Sequence, residues 1–261
     1  MSSNIRLSVV SYVNSKPFIY GLDQPWIKNQ IALELDIPST CAAKLISGKV
    51  DVGLVPVAIL PELKEYHLLT NYCIGSDGVV NSVLLVSQVP FTEIRTVMMD
   101  YQSRTSVMLA RVLADKFWKI KPAWEPASEG YEQTLTGTTA GIIIGDRALL
   151  MKDKFQYVYD LSVEWKKFTG LPFVFACWVA NKKIPQDFNN ALNKAFALGI
   201  SNIQDVLKIY GSGVIEPTLA AHYLNENIDY HFDDSKKKAL ALFLKYIREI
   251  NPVDIALSAK V

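Results

Sequence analysis

The stretch IRLSVVSYVNSKPF, residues 5–18, contains the pattern that decides the fold. A strand-like apolar run ends at small hydroxyl and amide side chains, and an amphipathic helical pattern follows it. The same order recurs in IALELDIPSTCAAKL, residues 31–45, and in TVMMDYQSRTSVMLARVL, residues 96–113. Strands that alternate with helical patterns predict an α/β fold with a mainly parallel sheet.

Each of these helix openings admits two interpretations. A helix N-terminus leaves its first backbone N–H groups unpaired and carries the positive end of the helix dipole, so it favours carboxylate or phosphate groups. Several such openings together would suit a small dianion. Alternatively, Ser, Thr and Asn occur there because they are good N-cap residues. The pattern alone leaves both interpretations open.

Composition excludes several classes of function. The 261 residues carry 27 Lys and Arg against 26 Asp and Glu, a formal net charge of +1, so there is no basic excess for nucleic acid. No uncharged apolar run reaches eighteen residues, which predicts no membrane span. The first residues do not resemble a secretory signal, and the three cysteines are odd in number and widely spaced. We therefore expect a cytoplasmic protein.

The alternating pattern occurs twice and is followed by a helical return. We predict two α/β lobes, the first built from residues 1–88 and 183–261 and the second from residues 89–182. Ligands of such folds bind at the carboxyl ends of the strands, so we expect a cleft between the lobes. The tail after Pro252 is assigned no element.

Five blocks carry a resemblance to a known family. They are SYVNSKPFIYGL (11–22), IPSTCAAKLISGKVDVGLVPVAIL (37–60), DYQSRTSVMLARVL (100–113), IGDRAL (144–149) and DLSVEWKKFTGLPFVFACWVA (160–180). In this order and spacing the chain resembles, from residue 6 to about residue 181, the chorismate dehydratases that open the futalosine route to menaquinone.

The resemblance implies a two-lobed fold of the type 2 periplasmic-binding-protein class. It also implies chorismate as the substrate, 3-[(1-carboxyvinyl)oxy]benzoate and water as products, and no metal or organic cofactor. By the same resemblance, Asn14 and Ser82 match positions associated with catalysis. We expect no nucleic acid or membrane partner, and a monomer or homodimer.

Chorismate carries two carboxylates, which match the helix openings. We expect Ser39 with Thr40, and residues 104–106, each to face one carboxylate. The expected substrate-binding residues are Ser11, Lys16, Ser39, Thr40, Ser103, Arg104, Thr105, Ser106 and Asp146. Lys16 and Arg104 could instead be solvated surface charges. Asp146 could be a general base or the N-cap of the helix that follows, and its negative charge disfavours contact with a dianion.

Three other functions compete with the dehydratase. The sister enzyme of the same pathway, dihydroxynaphthoate synthase, usually starts with a stretch resembling SPCPNDTF, whereas residues 11–17 here read SYVNSKP. A solute-binding protein would carry a signal peptide or a lipid-anchor cysteine. A ligand-sensing regulator would carry a DNA-binding helix pair or a basic patch.

Overall fold

The computed structural model describes residues 4–250, which form two compact units. Unit 1 comprises residues 4–75 and 174–234, and unit 2 comprises residues 76–173 and 235–250. The tail after Pro252 lies outside the described residues.

The strands of this part of the chain follow the predicted pattern closely. They are β1 Ile5–Val10, β2 Ile31–Asp36, β3 Val52–Pro56, β4 His67–Ser76, β5 Val83–Ser87, β6 Thr96–Met99, β7 Ala123–Pro126, β8 Thr139–Ile144, β9 Tyr157–Asp160, β10 Phe173–Ala180 and β11 Asp229–His231.

The α-helices begin where apolar runs give way to amphipathic patterns. They are α1 Lys16–Leu22, α2 Pro25–Lys28, α3 Pro38–Ile46, α4 Thr105–Val112, α5 Asp146–Met151, α6 Leu161–Thr169, α7 Gln186–Ile200, α8 Ile203–Tyr210, α9 Pro217–His222 and α10 Asp234–Glu249. Shorter 3-10 and π-helical turns extend several of them. Helices flanking two sheets confirm the predicted α/β class.

Unit 1 contains a six-stranded sheet in the order β11-β4-β10-β3-β1-β2. β1 is parallel to β2 and to β3, and β10 is antiparallel to β3. The carboxyl ends of β1, β2 and β3 therefore meet at one edge of the sheet. We call this edge the unit 1 edge.

Unit 2 contains a five-stranded sheet in the order β7-β6-β8-β5-β9. β6 is parallel to β7 and β8, whereas β5 is antiparallel to β8 and β9. The start of β5 therefore lies beside the ends of β8 and β9, at the edge where β6 also ends. We call it the unit 2 edge.

Two glycines bring the helices of unit 1 into close contact. A Cβ atom at Gly21 of α1 would lie 1.9 Å from the carbonyl oxygen of Ala195, and one at Gly199 of α7 would lie 1.7 Å from that of Pro17. Only glycine leaves room for backbones this close. Beneath them Phe18, Phe196 and Trp178 pack, the last two stacked at 4.5 Å.

The boundaries of the units differ from the predicted lobes. The prediction assigned everything from residue 183 onward to the first lobe, but α10 belongs to unit 2. The cause is an aromatic cluster in which Phe243 of α10 lies 5.0 Å from Phe173 and 6.0 Å from Trp165. The burial of these rings against one another stabilises the packing of α10 on unit 2. Residues 76–88 also belong to unit 2, and residues 174–182 to unit 1.

Two element boundaries also differ from the prediction. The largely apolar stretch VVNSVLLV predicts a strand over residues 79–86, but β5 begins only at Val83, after Asn81 takes a left-handed φ of 60°. That conformation is incompatible with an extended strand. Proline suits the first turn of a helix, which predicts a helix from Pro56, but Pro56 ends β3 and a 3-10 turn, Val57–Glu62, follows it.

Candidate functional site

The unit 1 edge gathers the predicted site residues between Ser11 and Thr40, whereas Ser82, also predicted in the first lobe, belongs to unit 2. Ser11, Asn14 and Lys16 follow the end of β1, and Ser39 with Thr40 occupies the first turn of α3, directly after β2. Because β1 and β2 are parallel and adjacent, these segments leave the sheet at the same edge. Asn14, Lys16, Ser39 and Thr40 are half-buried, and Ser11 is exposed.

Asn14 is held by two tyrosines from far along the chain. Its Nδ2 donates to the Tyr223 hydroxyl at 3.1 Å, and its backbone oxygen accepts from the Tyr230 hydroxyl at 2.9 Å. Ser15 Oγ donates to its Oδ1 at 3.2 Å. Burial raises the pKa of Tyr230, which keeps this phenol a neutral donor. The amide of Asn14 is thus fixed by neutral groups.

The helix openings of unit 1 do not use their hydroxyls as side-chain caps. The N-cap residue of α3 is Ile37, which has no polar side chain, and Ser39 and Thr40 stand inside the helix. Ser15 is the N-cap of α1 but makes no side-chain cap bond. The simple capping interpretation therefore does not account for the hydroxyls at these two openings.

Lys16 is engaged within unit 1. Its ammonium donates to the carbonyl oxygens of Tyr210 at 3.1 Å and Gly211 at 2.8 Å, where α8 ends. A cation at the C-terminus of a helix stabilises the exposed carbonyls there. The side chain therefore links the loop after β1 to the end of α8, a contact that neither alternative for Lys16 included.

The unit 2 edge gathers the residues predicted from the middle of the chain. Val83 pairs with Ile144 and Leu84 pairs with Asp160, so Ser82 lies beside the ends of β8 and β9. The amide of Gly145 donates to the backbone oxygen of Ser82 at 2.8 Å. The segment 100–106 follows β6 at the same edge.

The hydroxyls of segment 103–106 are buried. Ser103, Thr105 and Ser106 are each no more than 5% exposed. Ser103 Oγ accepts from the amide of Ser106 at 3.1 Å, so this hydroxyl does cap the first turn. Arg104, in the N-cap position of α4, makes no side-chain cap bond and is half-buried.

Asp146 is the first residue of α5 and follows Gly145, whose φ is 63°. It therefore lies inside the helix rather than in the preceding N-cap position, which was one of the two alternatives for it. Its side chain is half-buried at the unit 2 edge. A carboxylate in a first turn is stabilised by the helix dipole.

A charged cluster at the unit 2 edge was not expected from the sequence. The guanidinium of Arg147 lies 2.5 Å from the buried Asp100 carboxylate, pairs with Glu132 and stacks on the Tyr101 ring at 5.1 Å. Burial alone would lower the pKa of Arg147, but the carboxylates of Asp100 and Glu132 raise it, so the guanidinium stays protonated. Asp100 in turn accepts from the amide of Gln102 at 2.8 Å.

Thiol chemistry finds no support in the structure. Cys41, Cys73 and Cys177 are buried thiols that form no disulfide, and burial raises the pKa of Cys41 to about 12. A thiol with such a pKa is not a thiolate nucleophile at neutral pH. Between residues 4 and 250, no group of three or more His, Cys, Asp or Glu side chains is placed to hold a metal ion.

A cavity of about 340 Å³ lies elsewhere in unit 2. Its lining comes from α4 and the π-helical turn that extends it, from the residues before β7, and from the end of α10. Within this lining, the Arg111 guanidinium stacks on the Trp124 ring. The residues before β7 mark the amino edge of the sheet, opposite the unit 2 edge. This cavity is therefore separate from the predicted site residues.

The fold and the site together define a class. Two α/β units present polar loop and helix-start residues at the carboxyl ends of parallel strands, as in periplasmic-binding-protein-like folds. A solved structure from Candida albicans, described as having the generic periplasmic binding protein fold, is similar with a TM-score of 0.62. It is 11% identical and covers 99% of this chain and 95% of its own.

Protein AF1704 of Archaeoglobus fulgidus, another solved structure, is similar with a TM-score of 0.76 at 14% identity, covering 95% of this chain and 98% of its own. The family model for menaquinone biosynthesis matches residues 5–249. The chain therefore belongs to this menaquinone biosynthesis family. A curated relative from Thermus thermophilus, named chorismate dehydratase, is 28% identical over 79% of this chain and 83% of its own length.

None of the helices among residues 4–250 has the length and apolar character needed to cross a membrane.

Proposed function

We propose that this protein is a chorismate dehydratase, which removes water from chorismate to give 3-[(1-carboxyvinyl)oxy]benzoate at the start of futalosine-dependent menaquinone biosynthesis. The observation that carries the proposal is the match of the menaquinone biosynthesis family to residues 5–249. The Thermus thermophilus relative, named for this activity, supports the same conclusion.

The donors at the two edges suit a dianionic substrate. Ser39 and Thr40 stand in the first turn of α3, and Thr105 and Ser106 stand in the first turn of α4, where backbone N–H groups and the helix dipole favour carboxylates. Neutral hydroxyl and amide donors bind an anion without the desolvation cost of a buried cation. We propose these four residues, with Arg104, as the carboxylate ligands.

The reaction needs little acid–base machinery. Loss of one ring proton and of the ring hydroxide converts a cyclohexadiene into a benzene ring, and the aromatic product supplies much of the driving force. The protein must mainly orient the substrate, assist removal of the ring proton and ease the departure of hydroxide. Residues that hydrogen-bond from fixed positions meet this requirement.

Asn14 and Ser82 are the proposed catalytic residues. The Asn14 amide, fixed by Ser15 and Tyr223, is suited to donate to the leaving hydroxyl or to the ring carboxylate. Ser82 stands at the unit 2 edge on the turn that starts β5. The base in this proposal is the enolpyruvyl carboxylate of the substrate itself, held by the neutral donors. Ser11, Lys16, Ser103 and Asp146 complete the proposed surroundings of the substrate.

A product assay tests the proposal. Purified protein is incubated with chorismate, and the mixture is followed by liquid chromatography with mass detection and ultraviolet absorbance. The expected result is a product one water lighter than chorismate with benzenoid absorbance. Chorismate that binds but returns unchanged would favour a solute-binding protein, and absence of both binding and reaction would favour the sister naphthoate-forming enzyme. We further propose a cytoplasmic location and a monomeric or homodimeric state.

A further inference from the structure

One carboxylate in unit 2 binds four backbone amides from two separate segments. Asp160 Oδ2 accepts from the amides of Val80 at 2.9 Å and Asn81 at 2.7 Å. Its Oδ1 accepts from those of Ser162 at 3.0 Å and Val163 at 3.3 Å, at the start of α6. The second pair is ordinary helix capping. The first pair is not needed for the helix and holds the turn that precedes Ser82.

The turn that Asp160 holds contains a left-handed residue. Asn81 has a φ of 60°, in a region that few residues with a side chain adopt, although Asn tolerates it better than most of them. Such a conformation persists only where surrounding contacts fix it. The two bonds from Val80 and Asn81 to Oδ2 supply such contacts on the N-terminal side of Ser82. On its other side, the carbonyl of Ser82 is fixed by the amide of Gly145 at 2.8 Å.

We propose that Asp160 is a positioning residue that aims Ser82, by holding the left-handed turn at Asn81 through its second carboxylate oxygen. This inference rests on the proposed function, since Ser82 is the residue assigned to catalysis there. Asp160 itself contacts no reacting atom in this account. It acts through the backbone of residues 80 and 81.

The four amide donors around residue 160 require a carboxylate at this position. Four N–H groups point at the two oxygens, so the side chain must accept at both ends. In D160N, the amide oxygen can still cap α6, because Asn is as good an N-cap as Asp. The amide nitrogen would then face the N–H groups of Val80 and Asn81, donor against donor. D160N therefore separates the two functions while it keeps the size of the side chain.

A matched control exists in unit 1. Glu216 is the N-cap of α9, and its carboxylate accepts from the amides of Thr218 at 2.8 Å and Leu219 at 3.1 Å. Thr218 Oγ1 donates to the same carboxylate, so the hydrogen bonds of the Glu216 side chain within residues 4–250 all lie in its own helix and hold no second segment. E216Q thus repeats the change from carboxylate to amide at a helix cap without touching the turn at Asn81.

The experiment compares D160N, D160S and E216Q with the wild type in steady-state turnover of chorismate. We expect D160N and D160S to lower kcat by roughly tenfold to a hundredfold with KM changed less than about threefold, because a small misplacement of a reacting group costs about this much. E216Q should keep the wild-type kcat. In hydrogen exchange followed by mass spectrometry, the amides of residues 80 and 81 should exchange faster in D160N.

A double substitution decides between positioning and general stability. If Asp160 acts through Ser82, then D160N should lower kcat much less in an S82A background than in the wild type. Wild-type kcat in D160N despite faster exchange at residues 80 and 81 would overturn the proposal, as would additive losses in the double variant. Failure of both Asp160 variants to fold would also overturn it, in favour of a purely structural role.

These outcomes remain distinct from a failure of the proposed function. Wild-type protein that does not dehydrate chorismate contradicts the proposed function directly, before any variant is made. The exchange experiment needs no activity and would still report whether Asp160 holds the turn.

Discussion

In unit 1, the catalytic candidate Asn14 is held by neutral groups, namely the hydroxyls of Ser15, Tyr223 and Tyr230. In unit 2, the segments that lead to Ser82 and to residues 103–106 are held by carboxylates, that of the half-buried Asp160 and that of the buried Asp100. Removing a partner from a carboxylate that is shielded from water costs much of the free energy of unfolding, whereas a single neutral hydrogen bond contributes little to it. We therefore expect single substitutions of the supporting residues to reduce stability and activity more at the unit 2 edge than at the unit 1 edge.

The largest expected effect lies in the catalytic candidates of both edges. We expect N14A and S82A each to lower kcat by roughly 10²- to 10⁴-fold, with a much smaller change in KM, because they remove groups that act on the reacting substrate. Steady-state kinetics with chorismate measures both parameters. Wild-type rates in either variant would remove that residue from the proposed mechanism.

The second prediction concerns the charged cluster of unit 2. R147A leaves the fully buried Asp100 without its cationic partner, which should cost about 3–5 kcal/mol of unfolding free energy. Urea unfolding followed by circular dichroism measures this loss.

The matched control is R6A in unit 1. Arg6 is about half-exposed, and its partner Asp51 keeps Lys182 at 2.8 Å. The destabilisation should therefore be much smaller than for R147A. Equal losses in the two variants would contradict the contrast between the units.

The third prediction sharpens the contrast at Asn14. Y223F removes the hydroxyl that accepts from Asn14 Nδ2, so we expect a loss of about 1 kcal/mol in stability. The amide becomes freer to rotate, and kcat should fall by roughly threefold to tenfold. Y210F is the control, because the Tyr210 hydroxyl donates to Asp23 instead. A Y223F variant with the kcat of Y210F would show that this contact does not orient Asn14.

The smallest expected effect concerns Asp51 in unit 1, whose contribution to stability is lost only at acid pH. The hydrogen bond from Arg6 holds the pKa of this carboxyl well below its usual range. A lowered pKa contributes stability that is fully present above the unfolded value of about 4 and is lost as the pH falls below it. Thermal melting at a series of pH values should show this loss in the wild type and a flatter profile in D51N. Parallel profiles would exclude Asp51 as the source.

Much of the fold could be predicted from local sequence. The apolar runs and the amphipathic patterns give β1, β2, β6 and β8 and the helices after them, and the parallel order places the predicted residues at the carboxyl ends. These features depend on residues that are close in sequence, so the hydrophobic periodicity indicates them directly.

The supporting contacts could not be predicted in the same way. Tyr223 and Tyr230 reach Asn14 across more than 200 residues, and no local pattern indicates such a pair. Arg147 stands in the IGDRAL block, yet its pairing with Asp100 depends on the neighbouring positions of β6 and β8 in the sheet. Likewise, α10 joins unit 2 because of tertiary packing on Trp165.

The most direct test of the account is a time course of chorismate turnover by the wild type, N14A and S82A at equal concentrations, with the product identified by mass. The account predicts that the wild type forms an aromatic product one water lighter than chorismate, and that each variant forms the same product at a rate lower by roughly 100-fold or more. No such product from folded wild-type protein, or equal rates in all three, would contradict it.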